Sequence, residues 1–502
     1  MSLSQTELRG DARYLGMAGA FGALGGNLST LANNPAGIGV YRSSEIGATL
    51  DIDGQRTTLN MGVSPVTATQ TRVACNNFGY VGSMSIGSET MPYFCWGVTY
   101  NRINSFDRSY RAYNQPISSS LTNYVAAFTD GFDLQTSAPD LSVLAYNTFL
   151  INPWGYGNTY SGLMDSSSSG TATVDVIERG YTDQYNINFG GNVMNTVYWG
   201  LGFGITDISR NVSAIYQEYI DNPVVPSGDN RSQLERGDYS EYTLENYERV
   251  KGTGFNMNFG LIVKPTNEFR LGFAVQTPTW YNLDYITNAW CTYDISDNYF
   301  GNPDNDSYAT MGEAVWSSKI RTPWRIIASA AGVLDGRYIL SADYEYKDYT
   351  SMTVSDDWGK DTYIEADVKQ YYQAQHILRL GAEYRVTPKF SLRLGYSYAS
   401  SPVKSDARDG YNYIYQTNSS TNPMYTMENN TQNITAGLGY RTGSFYIDLA
   451  YVHTIRSYNW QAFTNYPANS AGYSLAASAT TAPNGKLTDI HNRFALSLGF
   501  RF

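Results

Sequence analysis

Histidine and cysteine are scarce in this chain, three of each in 502 residues, and charged residues make up only 16% of it. The three thiols, Cys75, Cys95 and Cys291, cannot build a disulfide framework. His376, His453 and His491 stand far apart, outside any H-E-x-x-H or Cys/His metal spacing, so no metal site and no cofactor is expected. Asp294, Asp297, Asp304 and Asp306 cluster but miss the EF-hand spacing and read as solvated loop. No His sits in a recognisable nucleophile context, and the chain is not expected to be an enzyme. A net charge of −11 argues against a nucleic-acid partner. Long apolar runs are missing too: nothing approaches the roughly 18 consecutive apolar residues of a membrane helix. There is no fixed-length repeat of the kind propellers carry. Met1 to Glu7 is too short and polar for a secretory signal, and the chain is read as a mature form with a start Met.

What is present is tyrosine, glycine and alternation: 44 Tyr, 46 Gly and a mean hydropathy of −0.36. From Asp489 to Phe502 apolar side chains recur at every second place, Phe494, Leu496, Leu498, Phe500 and Phe502. That is a strand with one greasy face and one wet face. The same period recurs upstream, for example at Phe445–Tyr451, Ile434–Tyr440, Phe390–Tyr398, Phe269–Val275, Val197–Ile205 and Phe94–Tyr100. About 14 strands result, the first of them one long strand from about Ser44 to Gly62. A barrel whose strands face lipid on one side only satisfies every backbone group in a membrane while looking polar on average.

The connections alternate in length. Short turns fall at Met194–Thr196, Lys264–Asn267, Leu334–Gly336, Thr387–Lys389 and Arg441–Ser444; long ones fall at about 108–179, 211–235, 290–319, 348–372, 401–428 and 457–488. In outer-membrane barrels short turns are periplasmic and long loops extracellular, which predicts a periplasmic C-terminus. Inward positions carry charge: Arg270, Arg325, Asp343, Glu345, Arg379, Glu383, Arg393, Arg441 and Asp448. Ion pairing across a wet lumen and ion selectivity both fit Arg325, Arg379, Arg393 and Arg441. Cys75 is placed near the outer rim and Cys95 near the periplasmic end, which leaves Cys75 with Cys291 as the one geometrically open pair.

A closing strand that ends on Phe resembles that of bacterial outer-membrane barrels, in which Phe500 and Phe502 would belong to the signal read by the barrel-assembly machinery. Residues 1–43 break the pattern. Gly16 to Gly26 is a run of small residues, followed by Asn34-Pro35-Ala36-Gly37, and a barrel of 14 strands (44–502) is too wide to fill with its own side chains. Glycine-rich run, Asn-Pro-Ala motif, strand count and closing aromatic together resemble the FadL/TodX family of hydrophobic-compound transporters. The resemblance implies an N-terminal hatch in the lumen, bacterial outer-membrane localisation, and passive uptake of hydrophobic or amphipathic molecules. Fatty acids are the family default, with monoaromatics or a porphyrin as other cargo. For Asn34 it implies a part in hatch rearrangement; simple turn initiation is the alternative.

The family captures its ligand on long loops. Within 108–179, Phe128, Phe132, Leu134, Leu141, Leu144, Phe149 and Trp154 lie on two helix-compatible pieces that either expose an apolar trap or pack on one another. Lateral release needs a pairing defect; Gly79, Gly82 and Gly87 are candidates, and the route stays unassigned. A second function class fits the same barrel: a structural subunit of a larger outer-membrane complex. Its Tyr-rich loops, such as that carrying Tyr411, Tyr413, Tyr415 and Tyr425, would then serve as docking surface.

Overall fold

A computed structural model describes residues 2–227, 233–295, 307–356, 359–408, 420–465 and 480–502. Asp297, Asp304, Asp306, Tyr411, Tyr413 and Tyr415 lie outside the described residues.

The chain closes into an antiparallel barrel of 14 strands. In order these are β1 (Glu45–Asn60), β2 (Val66–Ser85), β3 (Tyr93–Ser105, resuming at Arg108–Ile117), β4 (Ser169–Val193), β5 (Val197–Asp221) and β6 (Tyr239–Val263). There follow β7 (Phe269–Gln276, resuming at Trp280–Ile295), β8 (Ser307–Arg321, resuming at Arg325–Leu334), β9 (Tyr338–Asp348) and β10 (Ala374–Arg385). The last four are β11 (Phe390–Ala399), β12 (Tyr425–Thr442), β13 (Phe445–Gln461) and β14 (Asn484–Arg501). Closure is complete along the seam, where β1 pairs with β14 from Glu45↔Arg501 to Asn60↔Lys486. The Ser44 N–H donates to the Phe502 carbonyl at 2.9 Å, so both ends of the barrel chain sit at one rim.

Period-two patterning explains the wall. On β1 Ile46, Leu50 and Ile52 are exposed while Glu45, Thr49 and Asp51 are buried. On β14 Phe494, Leu496, Leu498, Phe500 and Phe502 are exposed while Arg493, Ala495 and Ser497 are buried. An exposed band of this apolarity, repeated around the wall, is stable only against lipid. The predicted short turns all lie at one end, where Met194 and Asn195, and Asp335 with Gly336, take the positive φ values of tight hairpin turns. Ile86 to Pro92 turns at that end as well. Pro278 and Pro323 interrupt β7 and β8 at one height, since neither supplies an amide donor. The Thr279 N–H, donated to Thr322 Oγ1 at 2.8 Å, ties the two breaks together.

Pairing extends well into the stretches read as loops. β4, β5 and β6 are each 25 residues long, more than twice the 9–11 tilted residues that a bilayer needs. Residues 108–117, 169–179, 211–221, 425–428, 457–461 and 484–488 all belong to strands. Their outward faces meet water, so the ladder continues while the lipid-facing alternation that marks it in sequence fades. The longest true connection is 118–168. The thiols are all free, so Cys75 and Cys291 do not bridge. Cys75 opposes Leu50 partway up β2 rather than at the rim.

Residues 8–41 lie inside the barrel as a compact string of short turns, with α1 (Ala12–Gly16) capped by Asp11. Inward side chains hold them from all sides. Asp343 accepts from the Phe21 and Gly22 amides at 3.1 and 2.9 Å, Arg270 donates to the Leu24 carbonyl at 2.9 Å, and Ser497 accepts from the Ala12 amide at 2.7 Å. Asn258 and Asn192 donate to the carbonyls of Ala32 and Gly39 at 3.0 and 3.2 Å. Asn34 is buried; its Oδ1 caps the turn by accepting from the Ala36 amide, and its Nδ2 donates to the Gly22 carbonyl at 2.6 Å. Pro35 follows at the first position of that turn, where a missing amide costs nothing. Inward glycines make the fit possible: a Cβ at Gly200 would collide with the Pro35 carbonyl, one at Gly260 with Asn34 Oδ1 and the Ala36 amide, and one at Gly381 would stand 2.8 Å from the Met17 carbonyl. Gly260→Val is therefore expected to lift residues 33–40 off the wall and raise their amide exchange at least tenfold while the barrel keeps its resistance to unfolding in detergent gels.

Candidate functional site

Above the N-terminal segment the lumen holds two adjoining polar chambers. The lower is lined by Gln5, Glu7, Asn101, Arg102, Gln276 and the Arg325 group; the upper by Arg108, Glu178, Arg210, Glu248, Tyr425 and Tyr458. Gln5, Asn104, Glu428 and Arg456 line both. The charges predicted to face inward do so, and most are paired. Arg393 bridges Glu383 and Asp448 at 2.8 and 2.6 Å, and Arg13 of the N-terminal segment joins the same Glu383 at 3.0 Å. Arg441 lies 5.8 Å over the Tyr446 ring. The group at Arg325 is unbalanced: Arg325, Arg379 and Lys347 converge on Glu345 at 2.6, 2.6 and 3.1 Å. Asp343, the next inward carboxylate, is engaged by the Phe21 and Gly22 amides. Three cations on one carboxylate, facing a cavity, leave attraction for a further anion.

The outer mouth is roofed. The connection after β3 forms α2 (Leu121–Thr129) and α3 (Asp140–Asn147), the two helical pieces expected. They drop into the raised top of the barrel and share one apolar core with Tyr110, Val174, Tyr216, Leu244, Cys291 and Trp460. Tyr124 stacks on Phe463 at 5.1 Å. Of the seven proposed capture residues, Leu141 and Leu144 are buried in this core, Phe128 and Leu134 pack at its edge, and Trp154 is half-buried. Phe132 and Phe149 stay on the outer surface, each 39% exposed, beside Tyr146. The residues thus divide between the two readings rather than lining one groove.

A residue that sequence reasoning missed anchors this cap. Glu218 of β5 is fully buried and accepts from the Leu121 amide at 3.0 Å, the Tyr216 hydroxyl at 2.7 Å and the Ser120 hydroxyl. It thereby pins the start of α2.

The wall also has a slot. β2 pairs with β3 only from Asn77↔Asn101 down to Ser85↔Tyr93. Above that, Val66–Asn76 pairs with β1 on one side and, among the described residues, with no strand on the other, where Arg108–Ile117 packs nearby without pairing. The cause lies in β3, which breaks at Phe106 and Asp107. The Phe106 amide donates to the Gly180 carbonyl, the Gly180 amide donates to Asp107 Oδ1 at 3.1 Å, and Gly180 takes φ +137°. Beyond the break the strand bends inward, and Tyr110, Ala112 and Ile117 enter the cap core. An Arg72–Asp107 ion pair spans the slot, and Val73 on its rim is 70% exposed. Val73 opposes Ile52, the upper end of the apolar belt on β1, so the foot of the slot lies at lipid level. Gly79 and Gly82 sit in regular pairing and Gly87 in the turn, so none makes the opening.

Glu218→Ala would strand three buried donors and is expected to weaken the cap by about 1–3 kcal/mol, read as faster amide exchange across residues 121–147. Burial raises the pKa of the Glu218 carboxyl, so the folded cap favours its protonated form. Its contribution is fully present in acid and is lost as pH rises through the raised value. Exchange corrected for intrinsic rate should therefore quicken with pH in the native chain and lose that dependence in Glu218→Gln.

No protein-family model matches the sequence, and no curated protein does. Solved structures do. A Pseudomonas aeruginosa FadL homologue aligns over 99% of this chain and 99% of its own at 14% identity, with a TM-score of 0.53. The Pseudomonas putida toluene transporter TodX aligns over 99% and 100% at 12% identity, with a TM-score of 0.51. A TodX variant described as a monoaromatic hydrocarbon channel gives 12% and 0.52 over 99% and 100%. In fold, this chain is a FadL-type barrel.

Proposed function

We propose that the protein is a bacterial outer-membrane channel for passive uptake of hydrophobic or amphipathic small molecules, released sideways into the bilayer. The observation that carries this reading is the slot beside β2: a stretch of wall without strand pairing that reaches down to lipid level in a barrel whose lower lumen is filled. A water-filled pore for polar solutes has no use for such a slot, whereas an apolar solute leaving through it never re-enters water. The fold shared with a toluene transporter supports the same reading. The Arg325, Lys347 and Arg379 group favours an amphiphile with an anionic head, of which a long-chain fatty acid is the simplest.

In this reading residues 1–43 act as the hatch, with Asn34 as its internal tie, and the C-terminus is periplasmic. Phe500 and Phe502 serve as the handle for the assembly machinery. Phe132 and Phe149 offer the first apolar contact outside.

Deleting residues 2–43 should turn the barrel into a steadily conducting pore in planar bilayers, and unchanged conductance would remove the hatch. Filling the slot with Val73→Trp and Cys75→Trp should cut dodecanoate uptake into proteoliposomes at least fivefold while dodecanoate binding in detergent persists. Uptake at the native rate would exclude the lateral route.

A further inference from the structure

The roofed mouth raises the question of how a ligand reaches the chambers from outside. Among the described residues the cap helices pack closely, and the void between Val125, Leu141, Leu144 and Leu244 is only about 10 Å³, room for about one water at most. The wall offers another way. β8 pairs with β7 along its length, but on its other side it has a partner above the membrane only at Lys319–Arg321, which pair with Thr353–Ser355. Above Ser318, among the described residues, that side of β8 has no neighbouring strand. β9 stops at Asp348, and the chain folds inward with Tyr349 and Met352 buried against Val368.

At this break lies a cavity of about 590 Å³. Tyr285 and Trp316, a cross-strand pair stacked at 5.3 Å with planes 2° apart, form one wall. Val354 and Ile364 form the other, and Ser317, Ser355 and Thr421 supply polar lips. Val212, Glu248, Ser420 and Asn422 line both this cavity and the upper chamber, so the two adjoin across these side chains. The upper chamber in turn shares Gln5, Asn104, Glu428 and Arg456 with the lower one that faces Arg325, Lys347 and Arg379.

We propose that this side window, and not the mouth, is the entrance, and that it admits an amphiphile. The flat aromatic wall and the aliphatic wall hold the apolar part, while the polar lips and the chambers behind receive the head. An aromatic pair of this kind gives apolar area at little entropic cost and accepts rings and alkyl chains alike. The proposal rests on the uptake reading for the identity of the ligand, but the position of the entrance is a separate matter and is tested separately.

Thr426 lines the upper chamber, and Thr426→Cys in a Cys75→Ser background gives a reporter thiol there. In nanodiscs, where lipid covers the foot of the slot, a membrane-impermeant maleimide should label it. Ser317→Trp with Ser355→Trp, both at the window, should slow labelling at least tenfold, and Tyr146→Trp on the cap surface should leave it unchanged. Heat-modifiable mobility confirms that each barrel is folded, and a bulky adduct on Ser317→Cys alone serves as the second block. Unchanged labelling in both window variants, slower labelling in the cap variant alone, or no labelling of the parent would overturn the entrance. Dodecanoate uptake is then followed in the same variants. If window-dependent labelling holds while the native protein takes up no dodecanoate, the uptake reading fails and the entrance stands.

Discussion

Backbone hydrogen bonding governs this structure. A strand in lipid has no water to satisfy its amides, so the wall must close on itself, and it does so along the whole β1–β14 seam. Once closure is obligatory, the places where pairing lapses stand out. Among the described residues the two longest run beside the upper half of β2 and beside the upper half of β8. Each is stabilised in place by a chain that turns inward, at Phe106–Asp107 in one case and at Tyr349–Met352 in the other. The inward-turned segments then fill the top of the lumen, so that opening the side and closing the mouth are one rearrangement of the same chain.

The filling of the lower lumen follows a different logic. A barrel of this width cannot be packed from its own wall, and the N-terminal segment that fills it is polar in its backbone and small in its side chains. Its amides and carbonyls are therefore bound by inward Asp343, Arg270, Asn258, Asn192 and Ser497, while wall glycines admit its backbone at contact distance. Such a plug is held by many individually modest hydrogen bonds instead of one apolar core. Bonds of this kind can be exchanged one at a time for water, which would suit the hatch role proposed for this segment.

Much of this could be read from the residues. Outward Phe494, Leu496 and Leu498 fix the lipid face of β14, and short turns such as Met194–Thr196 fix the parity of the ends, because both follow from periodicity alone. The two helical pieces at Leu121–Thr129 and Asp140–Asn147 were legible for the same reason. Periodicity says nothing about which way an amphipathic helix turns, and Leu141 and Leu144 turned inward. Strand limits were misplaced where the outer face meets water, as at 211–221. The slot left no composition signal: β3 breaks at Phe106-Asp107, without Pro or Gly, and the glycine that accommodates the break, Gly180, lies on the neighbouring strand. Glu218 looked like any alternating acidic residue because its partners, Ser120 and Leu121, are about a hundred positions away.

The 25-residue strands carry one more implication. At about 3.3 Å per residue and a tilt near 40°, they rise roughly 60 Å, about twice the hydrocarbon thickness. The wall therefore works as a chimney. It lifts the cap roughly 30 Å above the hydrocarbon while the slot and the side window lie lower on the wall, so that in the proposed uptake a greasy solute would travel to the bilayer inside a protein wall.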